Sequence, residues 1–393
     1  MNVLVWQWGR RGAGPRFAAC LARALADHPG LSVSLSLCRD AEIMRGPEAP
    51  DCRMPVTTYR GMVSLLLRLA TAPLALPWLV RRVGALRPDL AICAMPGPLD
   101  LPMAVALRLV GCRVAVIVHE AEAHTGDGFP LQMTLQRLLC RTANDVVALT
   151  GHVARGLRRQ GFGDAVPFRH PPFAFAMPRA PRPSGPPRLL CFGRLLPYKG
   201  LDLLAEALSG LSGVEVRVAG LGPESAALAA LRACPGVTVE NHWVPETAIG
   251  ALLAWADAVV LPYRDASQSG VAAAALAAGL PVIATRVGGL AEQLAGAEHA
   301  YLCEPDPASL AGAIGRWLAA PPCPAAEDRT DWTRAQWRDA SWALVQALTP
   351  AEARQSGVLP GAAAIGAPLV MAGLVAATRS ATVKHRWPGQ ARP

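Results

Sequence analysis

Two cations five residues apart, Arg194 and Lys199 in CFGRLLPYKG (191–200), are the residues whose types could most readily do chemistry together. Lysine occurs only at 199 and 384, while the chain otherwise writes its strong bases as arginine. Arginine offers a rigid planar fork and lysine a compact point charge on a flexible stem. A site holding one of each suits a multiply charged, non-planar anion such as a diphosphate. An apolar run precedes Gly193-Arg194 and a helical pattern follows Lys199-Gly200, which puts both cations in a turn at a strand's carboxyl end. A solvated turn with two surface cations is the other reading of these residues alone.

Two further loops could hold phosphate. Ser267, Gln268, Ser269, Gly270 and Val271 run into a helix of very small residues, which aims free backbone N–H groups at an anion. A simple capped helix packed closely on a sheet would look the same. TRVGGLAEQL (285–294) sets Gly288-Gly289 between a strand and another helix start. In the first half, WGRRGAGPRF (8–17) places Gly12 and Gly14 in a strand-to-helix turn, and VIVHEAEAHTGDGFP (116–130) carries His119, Glu120, Glu122, His124 and Asp127 at a strand's end. Clustered His and carboxylate there fit the handling of hydroxyls and protons. His119 and His124 lack a third fixed ligand, so no metal site is expected. A polar surface loop is the plain alternative.

The elements that must position these loops alternate. Strands are expected at 2–6, 31–37, 89–94, 112–118 and 145–149, with helices at 14–28, 99–110, 131–140 and, capped by Thr150, 151–160. After a Pro-dense stretch the alternation resumes with strands at 188–192, 214–220, 237–240, 257–262 and 281–285. Helices fall between them, at 306–320, and in a Trp-bearing segment over 331–348. Such order predicts an α/β chain of parallel sheets covered on both faces. The expected division is 1–170, a linker at 171–187, 188–330, a crossover helix at 331–350 and a low-complexity tail at 351–393. Open α/β sheets bind ligands at the carboxyl edge, here a cleft between two halves.

Composition narrows the partners. With 393 residues, net charge +9 and a pI near 9.3, the chain suits nucleic acid, anionic lipid or a phosphorylated substrate. Nothing resembles a nucleic-acid-binding signature, so no nucleic acid partner is expected. Ten cysteines without a C-x-x-C read as small core residues in a reducing compartment.

FGRLLPYKGLDLLAEAL resembles the G-R-x-x-x-x-K-G signature of glycosyltransferase family 4, and GLPVIATRVGGLAEQL is similar to that family's G-x-P-V-(I/V)-A-(T/S)-x-x-G-G-x-x-E segment. The resemblance implies a GT-B fold: two Rossmann-like domains facing across a cleft, with a C-terminal helix returning to the first. It implies a nucleoside-diphosphate sugar donor in the second half and a sugar or lipid-linked acceptor in the first. Transfer would retain anomeric configuration, with no cofactor and no metal. Gly193, Arg194, Lys199 and Ser267–Val271 would bind the donor, while Gly12, Gly14 and His124 would face phosphate or acceptor. His119, Arg194 and Lys199 would be catalytic, His119 lying near the transferred sugar. The family commonly has two glutamates seven residues apart in the donor loop, and here those positions are Ala266 and Ala274. An ASQSG loop is similar to a branch among polysaccharide-building enzymes. A non-catalytic nucleotide-sugar-binding partner and a nucleotide-sugar epimerase are the rival expectations.

Residues 59–87 mix leucines with Arg60, Arg68, Arg81, Arg82 and Arg87, and Pro73 and Pro77 are expected to break any single long helix. A buried helix pair and a surface docking on anionic membrane are both consistent with this segment. The catalytic body is expected in the cytoplasm, free or on the inner face of the plasma membrane, with the tail loose or peripheral.

Overall fold

The computed structural model describes residues 1–46, 48–128, 131–178, 185–320 and 329–349; the tail expected at 351–393 lies outside them. The first half runs β1 (Asn2–Gln7), α1 (Ala13–Ala26), β2 (Ser32–Leu37), α2 (Met62–Leu86), β3 (Leu90–Cys93), α3 (Asp100–Leu109), β4 (Arg113–Val118), α4 (Gln132–Thr142), β5 (Asp145–Ala148), α5 (Gly151–Arg159) and a short β6 (Val166–Pro167). All six strands pair in parallel, in the order β2-β1-β3-β4-β5-β6. Their near-continuous Val/Ile/Leu/Ala runs are buried from both faces, as a parallel sheet requires.

The second half repeats the plan with β7 (Arg188–Phe192), α6 (Leu201–Leu208), β8 (Glu215–Gly220), α7 (Ala226–Ala233), β9 (Val237–Asn241), α8 (Glu246–Trp255), β10 (Ala258–Leu261), α9 (Gly270–Ala277), β11 (Val282–Thr285), α10 (Leu290–Leu294), β12 (Ala300–Cys303) and α11 (Pro307–Ala319). Its parallel sheet is ordered β12-β11-β10-β7-β8-β9. The strand order reverses between β7 and β10, and between β1 and β3 in the first sheet. The turns that leave β7, β10 and β1 are among the glycine- and serine-bearing loops singled out by sequence, and ligands of open α/β sheets bind at such reversals.

The α/β expectation holds, with one correction. Pro73 and Pro77 do not interrupt the chain: α2 is a single helix of 25 residues. A proline inside a helix loses one hydrogen bond and clashes with the carbonyl four residues back. Here both prolines lie on the exposed side, while Leu65, Leu79 and Val83 pack inward on either side of them and hold the helix together. Strands β6 and β12 had no sequence signal, being very short or half-buried. The nine described cysteines are all free.

Helix α12 (Thr330–Leu348) returns to the first half, as the resemblance implied. Trp337 meets Phe17 of α1 edge-on at 5.2 Å and donates through Nε1 to the Pro172 carbonyl at 2.7 Å. Trp342 stacks on His28 at 4.7 Å. The Pro-dense stretch beyond β6 is therefore no solvated tether in its first part: Phe168, His170 and Phe173 are buried and Phe173 N–H donates to Ala273 of α9 at 3.0 Å. Trp337→Ala is expected to cost about 3–5 kcal/mol, the range for truncating a buried aromatic. The exposed neighbour Trp332→Ala should stay within about 0.5 kcal/mol. Denaturant midpoints of the two variants check the contrast.

Candidate functional site

Arg194 and Lys199 follow β7, with a 3-10 turn at Pro197–Lys199 between them. Gly200 ends that turn at φ 64, and a Cβ there would lie 1.8 Å from the Pro262 carbonyl oxygen, so only glycine lets the β7 and β10 loops touch. The contact delivers Lys199 onto the β10 loop: its ammonium sits 3.7 Å from the Tyr263 ring centroid and 4.8 Å from that of Tyr198. Burial, reinforced by the charge of Arg194, pushes the ammonium down to about 7. Arg194 donates to the Tyr198 hydroxyl at 3.2 Å and pairs with Asp127 from the first half.

The loop after β4 lies over both cations. His124 stacks on Tyr198 at 4.9 Å, its Nδ1 is 2.7 Å from an Asp265 carboxylate oxygen, and Gly126 packs against Pro197. Glu120 approaches His124 at 3.9 Å, and burial raises its carboxyl above the usual range. The crevice is thus closed here, with the Asp127 carboxylate paired to Arg194. A diphosphate reaches Arg194 only if the 120–128 loop yields.

Two helix ends converge beside this cluster. A Cβ placed on Gly270, the first residue of α9, would lie 3.4 Å from Ala13 Cβ of α1 and 3.7 Å from the Phe173 ring. Ser269 caps α9, its hydroxyl accepting from Ala272 N–H and bonding the Tyr263 hydroxyl at 3.2 Å. Its backbone is clamped by Gln293, which accepts from Ser269 N–H and donates to its carbonyl. The Ser269 side chain is therefore structural, and the first-turn N–H groups of Gly270 and Val271 are those the helix leaves for an anion. Ser267 is buried, and its carbonyl accepts from Thr150, whose hydroxyl also caps α5. Ala266 and Ala274 are packed in the core, so neither position offers a carboxylate or room for one.

Gly12 caps α1 at φ 81, with nothing within 4 Å of an added Cβ, and so borders open space. Gly14, expected beside it, instead faces inward: an added Cβ would meet the Gln7 side chain at 2.8 Å. Gly14 exists for packing under the loop, because α1 begins earlier than its proline suggested.

His119 is 4% exposed, donates through Nε2 to the Ala94 carbonyl at 2.8 Å and packs edge-on against Phe17 at 4.8 Å. Burial drives its pKa down to about 3, so it is a neutral acceptor and not the proton carrier the sequence suggested. His170, 6.3 Å away between ring centroids, behaves alike: Nδ1 donates to the Pro171 carbonyl, and burial lowers its pKa to about 4. His119 Nδ1, His170 Nε2 and Gln268 Oε1 are buried without a hydrogen-bond partner among the described residues. Such orphaned acceptors are rare and await donors. Sequence reasoning missed His170, Tyr198, Tyr263, Asp265 and Gln293. His170 was hidden at the start of a Pro-dense stretch.

Residues 186–320 match the family model described as glycosyl transferases group 1. A curated relative, glycogen synthase of Mycobacterium tuberculosis, is 36% identical over 155 residues, covering 36% of this chain and 36% of the relative. The chain thus matches about a third of that relative's length. Among solved structures, sucrose-phosphate synthase from Thermosynechococcus elongatus aligns with TM-score 0.59 at 19% identity, covering 96% of this chain and 99% of that one. A structure titled as a putative UDP-N-acetylglucosamine 2-epimerase from Listeria monocytogenes aligns with TM-score 0.58 at 15% identity, covering 88% and 95%. The fold is GT-B.

If Asp127 occupies a phosphate position, Asp127→Asn should tighten pyrophosphate binding by roughly three- to tenfold, since the rival for Arg194 is gone. Calorimetric titration of wild type and variant decides it; equal or weaker binding by the variant refutes the competition.

Proposed function

We propose that the chain is a retaining glycosyltransferase of family 4 type, moving a sugar from a nucleoside diphosphate to an acceptor hydroxyl in the assembly of a bacterial polysaccharide or glycolipid. The observation that carries this reading is the placement of Arg194 and Lys199 at the strand reversal of the half that matches the group 1 family model. The first half, with its matching reversal, takes the acceptor.

In the reaction the bond from the anomeric carbon to the diphosphate oxygen breaks, and one to the acceptor oxygen forms on the same face. Charge develops on the departing diphosphate, which is the main electrostatic demand of the step. Arg194 offers a fork, Lys199 a point charge, and the Gly270 and Val271 N–H groups the end of a helix dipole. The acceptor proton passes to a phosphate oxygen. His119, His170 and Gln268 accept hydrogen bonds from hydroxyls, which is how sugar is recognised where the family's two glutamates are alanines. Those same alanines favour a second reading, a non-catalytic nucleotide-sugar-binding partner. Binding without transfer or hydrolysis across a panel of nucleotide sugars selects it.

Thermal stabilisation by such a panel tests the donor site, because a ligand at about 100 times its Kd adds about 2.7 kcal/mol. Lys199→Ala should abolish the shift with folding intact, and an unchanged shift refutes the site. An anion favours the charged ammonium, so binding should raise the Lys199 pKa from about 7. Donor affinity should then fall as pH rises above about 7, with proton uptake on binding. Titration in buffers of unlike ionisation enthalpy should find that uptake in wild type and lose it in Lys199→Arg, which binds without changing protonation. His170→Phe keeps an aromatic ring, somewhat larger, but removes the acceptor and the Nδ1 donor to Pro171. It should weaken nucleotide-sugar binding by about fivefold, from the loss of about 1 kcal/mol for one hydrogen bond. Binding of the bare nucleoside diphosphate should be unchanged, and equal losses for both ligands would exclude a sugar contact.

A further inference from the structure

Helix α2 is the longest helix among the described residues. Helix α2 packs one face on the first half through Leu65, Leu79 and Val83. Its opposite face presents Val63, Leu67, Leu74 and Trp78 at spacings of four, seven and four, which align on one side of a helix. Leu74 is 81% exposed, Leu67 62% and Trp78 48%. Scattered surface leucines need no explanation, but a continuous stripe of this kind does. Met62 and Leu66 widen it toward the helix start.

The charge around the stripe is of one sign. From Cys52 to Pro88 the sequence holds six arginines and no carboxylate. Arg60 pairs with Asp40, and Arg82 lies over the Trp78 ring at 5.8 Å. Arg68 and Arg81 stand exposed beside the stripe with no ion-pair partner among the described residues.

We propose that the outer face of α2 docks on the surface of an anionic lipid bilayer, with the helix axis in the plane of the interface. Length and composition alone would also allow α2 to cross a membrane. The packed face forbids it, because spanning would strip Leu65, Leu79 and Val83 from the core. A helix fixed to a protein on one side and apolar on the other enters to about 5–10 Å, at the boundary of headgroups and acyl chains. Trp78 suits that boundary with its amphipathic ring. Arginines then reach lipid phosphates, and a juxtaposed negative surface supplies what the protein lacks. A second copy of the chain fits less well, since a two-fold pairing of this face would set arginines against arginines. The surface shares no residue with the donor loops, so the inference does not rest on the reading of that site.

Co-sedimentation of the full chain with vesicles tests it. Wild type should bind vesicles of phosphatidylcholine mixed with phosphatidylglycerol, bind plain phosphatidylcholine far less, and release as salt rises. Leu67→Glu/Leu74→Glu should cut the bound fraction by about tenfold or more, because charge is placed where acyl chains would lie. Arg68→Glu/Arg81→Glu should remove the preference for the anionic vesicles. All these side chains are exposed, so both variants should melt like wild type and keep any stabilisation by nucleotide. Failure of wild type to bind overturns the proposal, as does undiminished binding by both variants, which would assign attachment to another part of the chain. A wild-type dimer that the leucine variant dissolves, with no vesicle binding, overturns it in favour of a second copy.

Discussion

Two like charges at one loop, Lys199 largely enclosed and Arg194 half-exposed beside it, constrain the middle of this molecule. Arg194 and Lys199 lie close enough that the guanidinium helps to depress the ammonium, and burial does the larger part. A pair of this kind is unfavourable unless neighbours compensate it. The Tyr263 ring gives Lys199 a π face, the Tyr198 hydroxyl takes one guanidinium N–H, and Asp127 takes another. Each compensating group explains a piece of architecture: Gly200 exists so that Tyr263 can come near, and His124 stacks on Tyr198 so that the 120–128 loop brings Asp127. The closed crevice follows from the same constraint. The first half supplies the carboxylate that stands against the guanidinium.

The alanine-rich helix α9 answers a second constraint. For its N-terminus to reach the crevice beside α1, the helix must lie tight against the sheet, and Ala272 to Ala275 are all buried. A glutamate at 274 would have to push the helix away from its packing partners. The loop at 266 is similarly fixed, because Gly288 and Gly289 approach the Ala266 and Ser267 carbonyls so closely that added Cβ atoms would lie 2.0 and 2.1 Å from them. Gln293 completes the arrangement by binding both sides of the Ser269 peptide. The 266–270 loop is thereby held by backbone contacts, with buried alanines at 266 and 274.

Most of the fold was legible because parallel strands buried on both faces are written as unbroken apolar runs, and 188–192 or 113–118 admit no other element. The loops were legible because glycine and serine stand at strand ends. What the sequence concealed depends on the third dimension. His170 lies among prolines, and nothing local reveals that Phe17, Phe173 and Trp337 will bury it. Gln293 is an ordinary helix residue until the β10 loop folds over it. Pro73 and Pro77 argued against a long helix by local rules, and packing on both sides of them overrode the local cost. Gly14 looked like its neighbour Gly12, yet only the helix phase decides which of the two faces Gln7.

The two neutral histidines bear on where a proton can go. A general base that works near neutrality needs a pKa not far from 7. His119 at about 3 and His170 at about 4 are too weak for that, and burial among aromatic rings is the physical cause. Each has its ring oriented by one carbonyl, which fixes the tautomer and turns the remaining nitrogen into an acceptor of fixed direction. In the proposed transfer, such a pair would read hydroxyls without competing for their protons. For the proposed transfer, the acceptor's proton then finds its best base on the departing diphosphate itself. The cations that stabilise that group also lower its basicity, and Lys199, poised near neutrality, sets how far.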